Sequence, residues 1–257
     1  MTAWRRLRRE GLVSGLSVAA VLVVWQLYAP AVNPILLKPP SKVVTAFWEL
    51  AGNGELAGAV QISLRNLALG FAIAVVVGVG IGVLSARSWF VASAASPWVS
   101  ALYATPSVAL VPFLTLWLGI GDPPKVATIA FFAVFPILIN TQQGVRQVEP
   151  ALLEVARSFN SSERRLWTDV LLPSALPYIL AGVKLGIGRA LVGMVVAEFL
   201  TSFSGGLGSL IIVYQNTFRV DRMFVPLIVV AALGILMIGA VSWLETRLAP
   251  WARGGER

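Results

Sequence analysis

Six apolar stretches, each near the ~20 residues a helix needs to cross a bilayer, punctuate this chain at about residues 11–29, 64–86, 97–119, 125–143, 177–200 and 224–246. One water-soluble core cannot hide so many long runs. Composition agrees: 57% of residues are hydrophobic and 12% charged, where a soluble domain has about 25% charged. The chain therefore reads as an all-α polytopic membrane protein. It divides into a short N-terminus (1–10), one membrane domain (11–246) with a long loop (144–174) between the fourth and fifth spans, and a tail (247–257).

The sequence holds no cysteine and no histidine. That removes disulfides, thiol nucleophiles, the usual zinc ligands and the commonest general base, so an enzyme is disfavoured. The net charge of +8 is scattered in short clusters between apolar runs and forms no basic face for nucleic acid. Topology accounts for it. With both termini cytoplasmic, the inner segments carry Arg5, Arg6, Arg8, Arg9, Arg87, Arg146, Arg157, Arg164, Arg165, Arg247, Arg253 and Arg257; the outer ones carry Lys38, Lys42, Arg65, Lys125, Arg219 and Arg222. The first run is longer than the ~7–15 residues of a signal peptide's apolar region, so it reads as a retained helix although Ala29-Pro30-Ala31 imitates a cleavage site. In the first outer loop, with Pro34 and Pro39-Pro40, the patch from Val43 to Leu50 is amphipathic and is expected to lie at the interface as a helix.

Gly70, Gly78, Gly80 and Gly82 in the second run, and Gly182, Gly186, Gly188 and Gly193 in the fifth, predict close helix–helix packing. Pro106, Pro112 and Pro136 remove helical hydrogen bonds in the third and fourth runs. Polar groups at membrane depth are the candidates for lining a pathway: Thr105, Ser107, Thr115, Asn140 and Gln142. Arg189 and Glu198 join them, because an ionisable group there costs about 2.5–3.5 kcal/mol on insertion scales. Nine residues apart on one helix, they face opposite sides and need separate partners. For Arg189 an interhelical contact competes with a role toward an anion; for Glu198 a cap on the following loop competes with gating. Lys184 lies near enough to the cytoplasmic end to snorkel. The turn Ser204-Gly205-Gly206-Leu207-Gly208 is either a re-entrant gate or a plain glycine-rich loop.

The loop between the fourth and fifth runs is long for a connection between neighbouring helices. Glu149-Pro150 opens a short helix in which Leu152, Leu153, Ala156 and Phe159 recur at helical spacing. Asn160 tolerates a left-handed conformation and, with Glu163, makes a capping box for a second piece that Pro173 stops, Pro177 then opening the fifth span. Such a helix can dock in another protein's groove and transmit its motion. An interfacial helix lying on lipid headgroups fits the periodicity equally well.

The pattern in this loop resembles the cytoplasmic signature of permeases of binding-protein-dependent ABC importers: E-A-A, three residues, G, nine residues, I, one residue, L-P. Glu154-Val155-Ala156, Asn160, Val170, Leu172 and Pro173 stand at those offsets, with Val155 and Asn160 as departures. Leu172-Pro173-Ser174-Ala175-Leu176-Pro177, Ala197-Glu198 and Gly205-Gly206-Leu207-Gly208 look like the branch that imports sulfonates, taurine, nitrate and similar anions.

The resemblance implies a type I importer permease fold of six transmembrane helices in a bacterial inner membrane, with a coupling helix between the fourth and fifth. It further implies a homodimer, a separate ATPase subunit that binds ATP and Mg, and an extracytoplasmic binding protein that delivers the solute. Glu154, Ala156, Arg157, Asn160, Leu172 and Pro173 would form the ATPase contact, and no cofactor would sit in this chain. No G-x-x-x-x-G-K-[ST] loop occurs in it. The competing class is a secondary transporter or channel without an ATPase, for which Glu198 is the available acid.

Overall fold

Lipid offers a peptide group no hydrogen-bond partner, so each apolar run must satisfy its own backbone, and every described element is helical. The computed structural model describes residues 2–33, 35–201 and 205–253, with backbone alone for 2–11, 252 and 253. Pro34, Ser204 and Arg257, used in the reading above, lie outside the described residues. In chain order the helices are α1 (Thr2–Tyr28), α2 (Pro40–Gly52), α3 (Glu55–Arg87), α4 (Trp89–Ala104), α5 (Val111–Leu118), α6 (Asp122–Arg146), α7 (Pro150–Ser158), α8 (Glu163–Arg165), α9 (Leu172–Leu200), α10 (Leu207–Asn216) and α11 (Val220–Leu248). A π-helical stretch, Leu166–Leu171, joins α8 to α9.

Five helical stretches are long and apolar enough to cross a membrane, and a bent pair makes a sixth. That pair corrects the expectation of one helix over 97–119. α4 stops at Ala104, and the path turns by 97° into the segment Ser107–Leu118. The cause is local: the ring of Pro106 forces Thr105 into an extended conformation (φ −71°, ψ 134°), and Pro112 then starts α5 in the first turn, where its missing N–H is harmless.

α6 is the centre of the bundle, with α3 on one side and α9 on the other. Ile129, Ala133 and Ile137 of α6 are fully buried among Leu67, Ala74, Ile187, Ala190 and Met194. In lipid this packing rests on close contact rather than on water exclusion, so backbone approach matters most. Ile137 is wedged between two glycines: a methyl group on Gly78 or on Gly186 would lie 2.9 Å from its side chain. Gly82 meets Thr141 and Gly182 meets Asn140 as closely. Gly80 and Gly188 do not share this role; they face open space.

α1 and α11 are peripheral, with most of their apolar side chains turned outward. α1 is tied down at one end, where Trp25 Nε1 donates to the Lys38 carbonyl (3.0 Å) and its ring packs on Phe224 at 5.0 Å. The amphipathic patch at Val43 forms α2, as expected, but its apolar face is covered by protein. Val43, Ala46 and Leu50 pack with Leu207, Tyr214 and Val225. Tyr214 donates to Glu55 Oε1 (2.6 Å), and burial together with that bond pushes its hydroxyl up to about 12, so it stays a donor across the neutral range.

Candidate functional site

α7 projects from one end of the bundle and has two unlike faces. Leu153 and Ala156 pack against a buried cluster of Val145, Val148, Leu166, Leu171 and Ala175, which fixes the helix to the ends of α6 and α9. The other face leaves Leu152 (47% exposed), Val155 (55%) and Phe159 (81%) uncovered. The sequence reading put Leu152, Leu153, Ala156 and Phe159 on one stripe. The structure divides them, because at 100° per residue Leu153 and Ala156 turn to the bundle while Leu152, Val155 and Phe159 turn away.

The corner after α7 is a Schellman motif. Asn160 is left-handed (φ 54°), its N–H reaches the Arg157 carbonyl (2.9 Å), and the Ser161 N–H reaches back to Ala156 (3.2 Å). The expected capping box between Asn160 and Glu163 is not formed. Ser162 is the cap, accepting from the Arg165 N–H at 3.4 Å. A left-handed residue costs about 1–2 kcal/mol unless it is glycine or a short polar side chain. Asn160→Val is therefore expected to destabilise the corner by about that amount and Asn160→Gly to leave it intact, read as amide hydrogen exchange at Asn160 and Ser161.

A further expectation to change concerns Pro173 and Pro177. The helical path runs without a stop from Glu163 to Leu200. Pro173 would collide with the carbonyl four residues back in a regular α-helix. The π-stretch immediately before it, in which the Leu172 N–H bonds to Trp167 five residues back, widens the turn at that point. Of the residues expected at the ATPase contact, Glu154, Ala156, Arg157 and Asn160 thus lie together on or beside α7. Leu172 and Pro173 begin α9, on a separate element.

Two cavities with mixed polar and apolar linings lie beside α4 and α6. The larger, about 480 Å³, is bordered by Ser93, Ser96, Ser100 and Tyr103 of α4 and by Gln142 and Arg146 of α6. The smaller, about 210 Å³, is bordered by Tyr103, Ser107, Phe132, Phe135 and Arg189. Among the predicted pathway residues, Gln142 borders the first, and Ser107 and Arg189 share the second. Thr105, Thr115 and Asn140 instead bond carbonyls four residues back in their own chain, Ala101 (2.8 Å), Val111 (3.0 Å) and Pro136 (2.8 Å). The serines of α4 escaped the sequence reading, although their 3- and 4-residue spacing from 93 to 100 marks one helix face.

Glu198 belongs to neither cavity. It is fully buried at the opposite end from α7, accepting from Ser63 Oγ (2.7 Å) and from the Gly208 N–H (2.7 Å), while Ser63 Oγ accepts from the Leu207 N–H (2.8 Å). Lys125, read above as an outer-loop cation, is fully buried beside it and donates to the Gly205 carbonyl at 3.0 Å. A side chain on Gly208 would meet the Cβ of Glu198 at 2.8 Å, so the turn seals directly over the carboxylate. Lys184 does not snorkel alone; it pairs with Glu245 of α11.

The model of the binding-protein-dependent transport system inner membrane component family matches residues 78–250. A Bacillus subtilis protein provisionally named as the aliphatic sulfonates transport permease SsuC is 35% identical over 97% of this chain and 91% of its own length. The nitrate import permease NrtB of Synechocystis is 30% identical over 91% and 88%. In fold, the chain is similar to a solved chain of the inward-facing MetNI methionine ABC transporter. The TM-score is 0.63 at 19% identity, over 76% of this chain and 96% of that one.

Proposed function

This chain belongs to the binding-protein-dependent transport system inner membrane component family, and from that membership we propose that it imports a small oxyanion, a sulfonate, taurine, nitrate or a related anion, driven by a separate ATPase. It supplies the path and the coupling. ATP and Mg are held by the ATPase subunit, and this chain holds no cofactor. A binding protein delivers the anion to the outer face, and two copies of the permease enclose the route. Both termini and α7 face the cytoplasm, in keeping with the arginine distribution. The six spans occupy residues 11–246, with the loop 144–174 as the cytoplasmic connection.

The observation that carries the ATP-driven reading is the uncovered apolar face of α7. Leu152, Val155 and Phe159 form a stripe at i, i+3 and i+7 on a helix whose other side is bolted to the bundle, which is the form of a helix that enters a partner's groove. Glu154, Ala156, Arg157, Asn160, Leu172 and Pro173 form or hold that contact region.

The test uses the complete complex in vesicles, with nitrate and ethanesulfonate as probes. Uptake is expected only when binding protein and ATP are both supplied, each on its own side of the membrane. Accumulation of either anion without ATP overturns the proposal.

A further inference from the structure

Arg189 stands on α9 about 16 Å from the helix end near Glu198, at 1.5 Å per residue, which is mid-membrane. Its residue is exposed, and among the described residues it has no hydrogen bond or ion pair. A guanidinium at that depth cannot be left to lipid; it faces water, a second copy, or both. The neighbouring face of α9 is open too, with Leu185 and Val192 exposed and free space beside Gly188.

The two cavities meet at one residue, since Tyr103 borders both. On α4 the bordering positions are 89, 92, 93, 95, 96, 99, 100 and 103; on α6 they are 132, 135, 138, 139, 142 and 146. At helical periodicity each set lies along one face of its helix. Together they trace one route, from Arg146 at the α7 end, past three serine hydroxyls, to Tyr103 and then to Arg189. The hydroxyl of Ser85, at the Arg146 end of the larger cavity, is buried without a hydrogen-bond partner. Buried polar atoms of that kind are rare, and one beside a cavity is a free donor for something that enters it. Arg146 bonds the carbonyl of the same Ser85 through Nη2 at 3.3 Å, which holds the guanidinium at the cavity edge.

We propose that the two cavities are successive stations of one anion path, with Arg146 and Ser85 at the cytoplasmic mouth, Arg189 and Ser107 at mid-membrane, and Tyr103 as the partition between them. The ligand class is a small oxyanion, since donors dominate the polar lining and no described carboxylate borders either cavity. This rests on the import reading above and assigns it residues. Hydroxyl donors bind an oxyanion without trapping it, while the two arginines supply attraction at either end. Phe132 and Phe135 beside Arg189 thin the water there, strengthening its pull on charge.

The chain has no cysteine, so single cysteines report access to the path. Ser100→Cys in the purified complex is probed with two thiosulfonate reagents of similar size, one bearing a sulfonate and one a quaternary ammonium, each rate divided by that at Gly52→Cys on exposed α2. The anionic reagent is expected to be favoured at least tenfold, a preference that falls at least fivefold with Arg189→Gln or Arg146→Gln and survives Arg189→Lys. Equal preferences at Ser100→Cys and Gly52→Cys, or a preference that neither Gln substitution alters, overturn the path whatever the complex carries. In transport, Arg189→Gln is expected to cut nitrate and ethanesulfonate uptake at least tenfold while binding-protein-stimulated ATP hydrolysis continues; unchanged uptake overturns the mid-membrane station. If the reagent preference is present and the wild-type complex imports neither anion, the path stands and the cargo class proposed above falls.

Discussion

Glu198→Ala is expected to lower the stability of the protein by about 3–5 kcal/mol, the largest loss of any single substitution considered, measured as the detergent or denaturant midpoint of the purified chain. Truncation strands the Ser63 hydroxyl and the Gly208 N–H, each 2.7 Å from the carboxylate, in a region closed to water. An orphaned buried donor costs about 1–3 kcal/mol, and the neighbouring Lys125 loses a nearby acid besides. Glu198→Gln keeps the shape and an acceptor oxygen, so it is expected to lose less than half as much. A midpoint for Glu198→Ala within about 0.5 kcal/mol of wild type, the range of an ordinary surface change, sinks the account of this knot as the seal of the bundle's far end.

Val155→Asp combined with Phe159→Asp is expected to have the opposite profile: no change in midpoint and loss of ATP-driven uptake. Both side chains are more than half exposed, so folding is almost indifferent to them. As anchors in a partner's groove, an aromatic and an aliphatic residue of this kind contribute about 2 kcal/mol or more, thirtyfold or more in affinity. An ATPase subunit that copurifies with wild-type chain should be missing from the double variant. Full retention removes α7 from the coupling role. Ala156→Glu is a less informative change, because Ala156 faces the buried cluster and its replacement damages fold and contact together.

Much of this architecture is legible in the chain. Length and hydropathy locate the spans, since a bilayer imposes one length on every run, and the offsets from Glu154 to Pro173 locate α7 and its corner. The prolines mislead in both directions. Pro106 and Pro173 look alike in sequence, yet the first ends a helix and the second is absorbed. Only the second has a π-stretch before it, and that depends on how Leu166 and Leu171 are packed. Lys125 reads as a loop cation because its acceptor, the Gly205 carbonyl, is eighty residues away. The division of α7 into a bolted and a free face depends likewise on Val145 and Val148, which no local pattern connects to Leu153. For the cavities the signal was present but quiet: serine on an apolar helix is common, and three at one spacing gain meaning once Gln142 and Arg146 are opposite them.

The unbroken run from Glu163 to Leu200 has a mechanical consequence. As one 38-residue strut it is about 57 Å long, with α7 packed at its foot, Arg189 about 40 Å along it and Glu198 near its tip. A tilt of roughly 5° about the foot would carry Arg189 sideways by about 3–4 Å, the width of a small anion's contact shell. Small rotations delivered at one face of the membrane are in this way magnified where the charge sits, and a helix that had broken at Pro173 would have dissipated them.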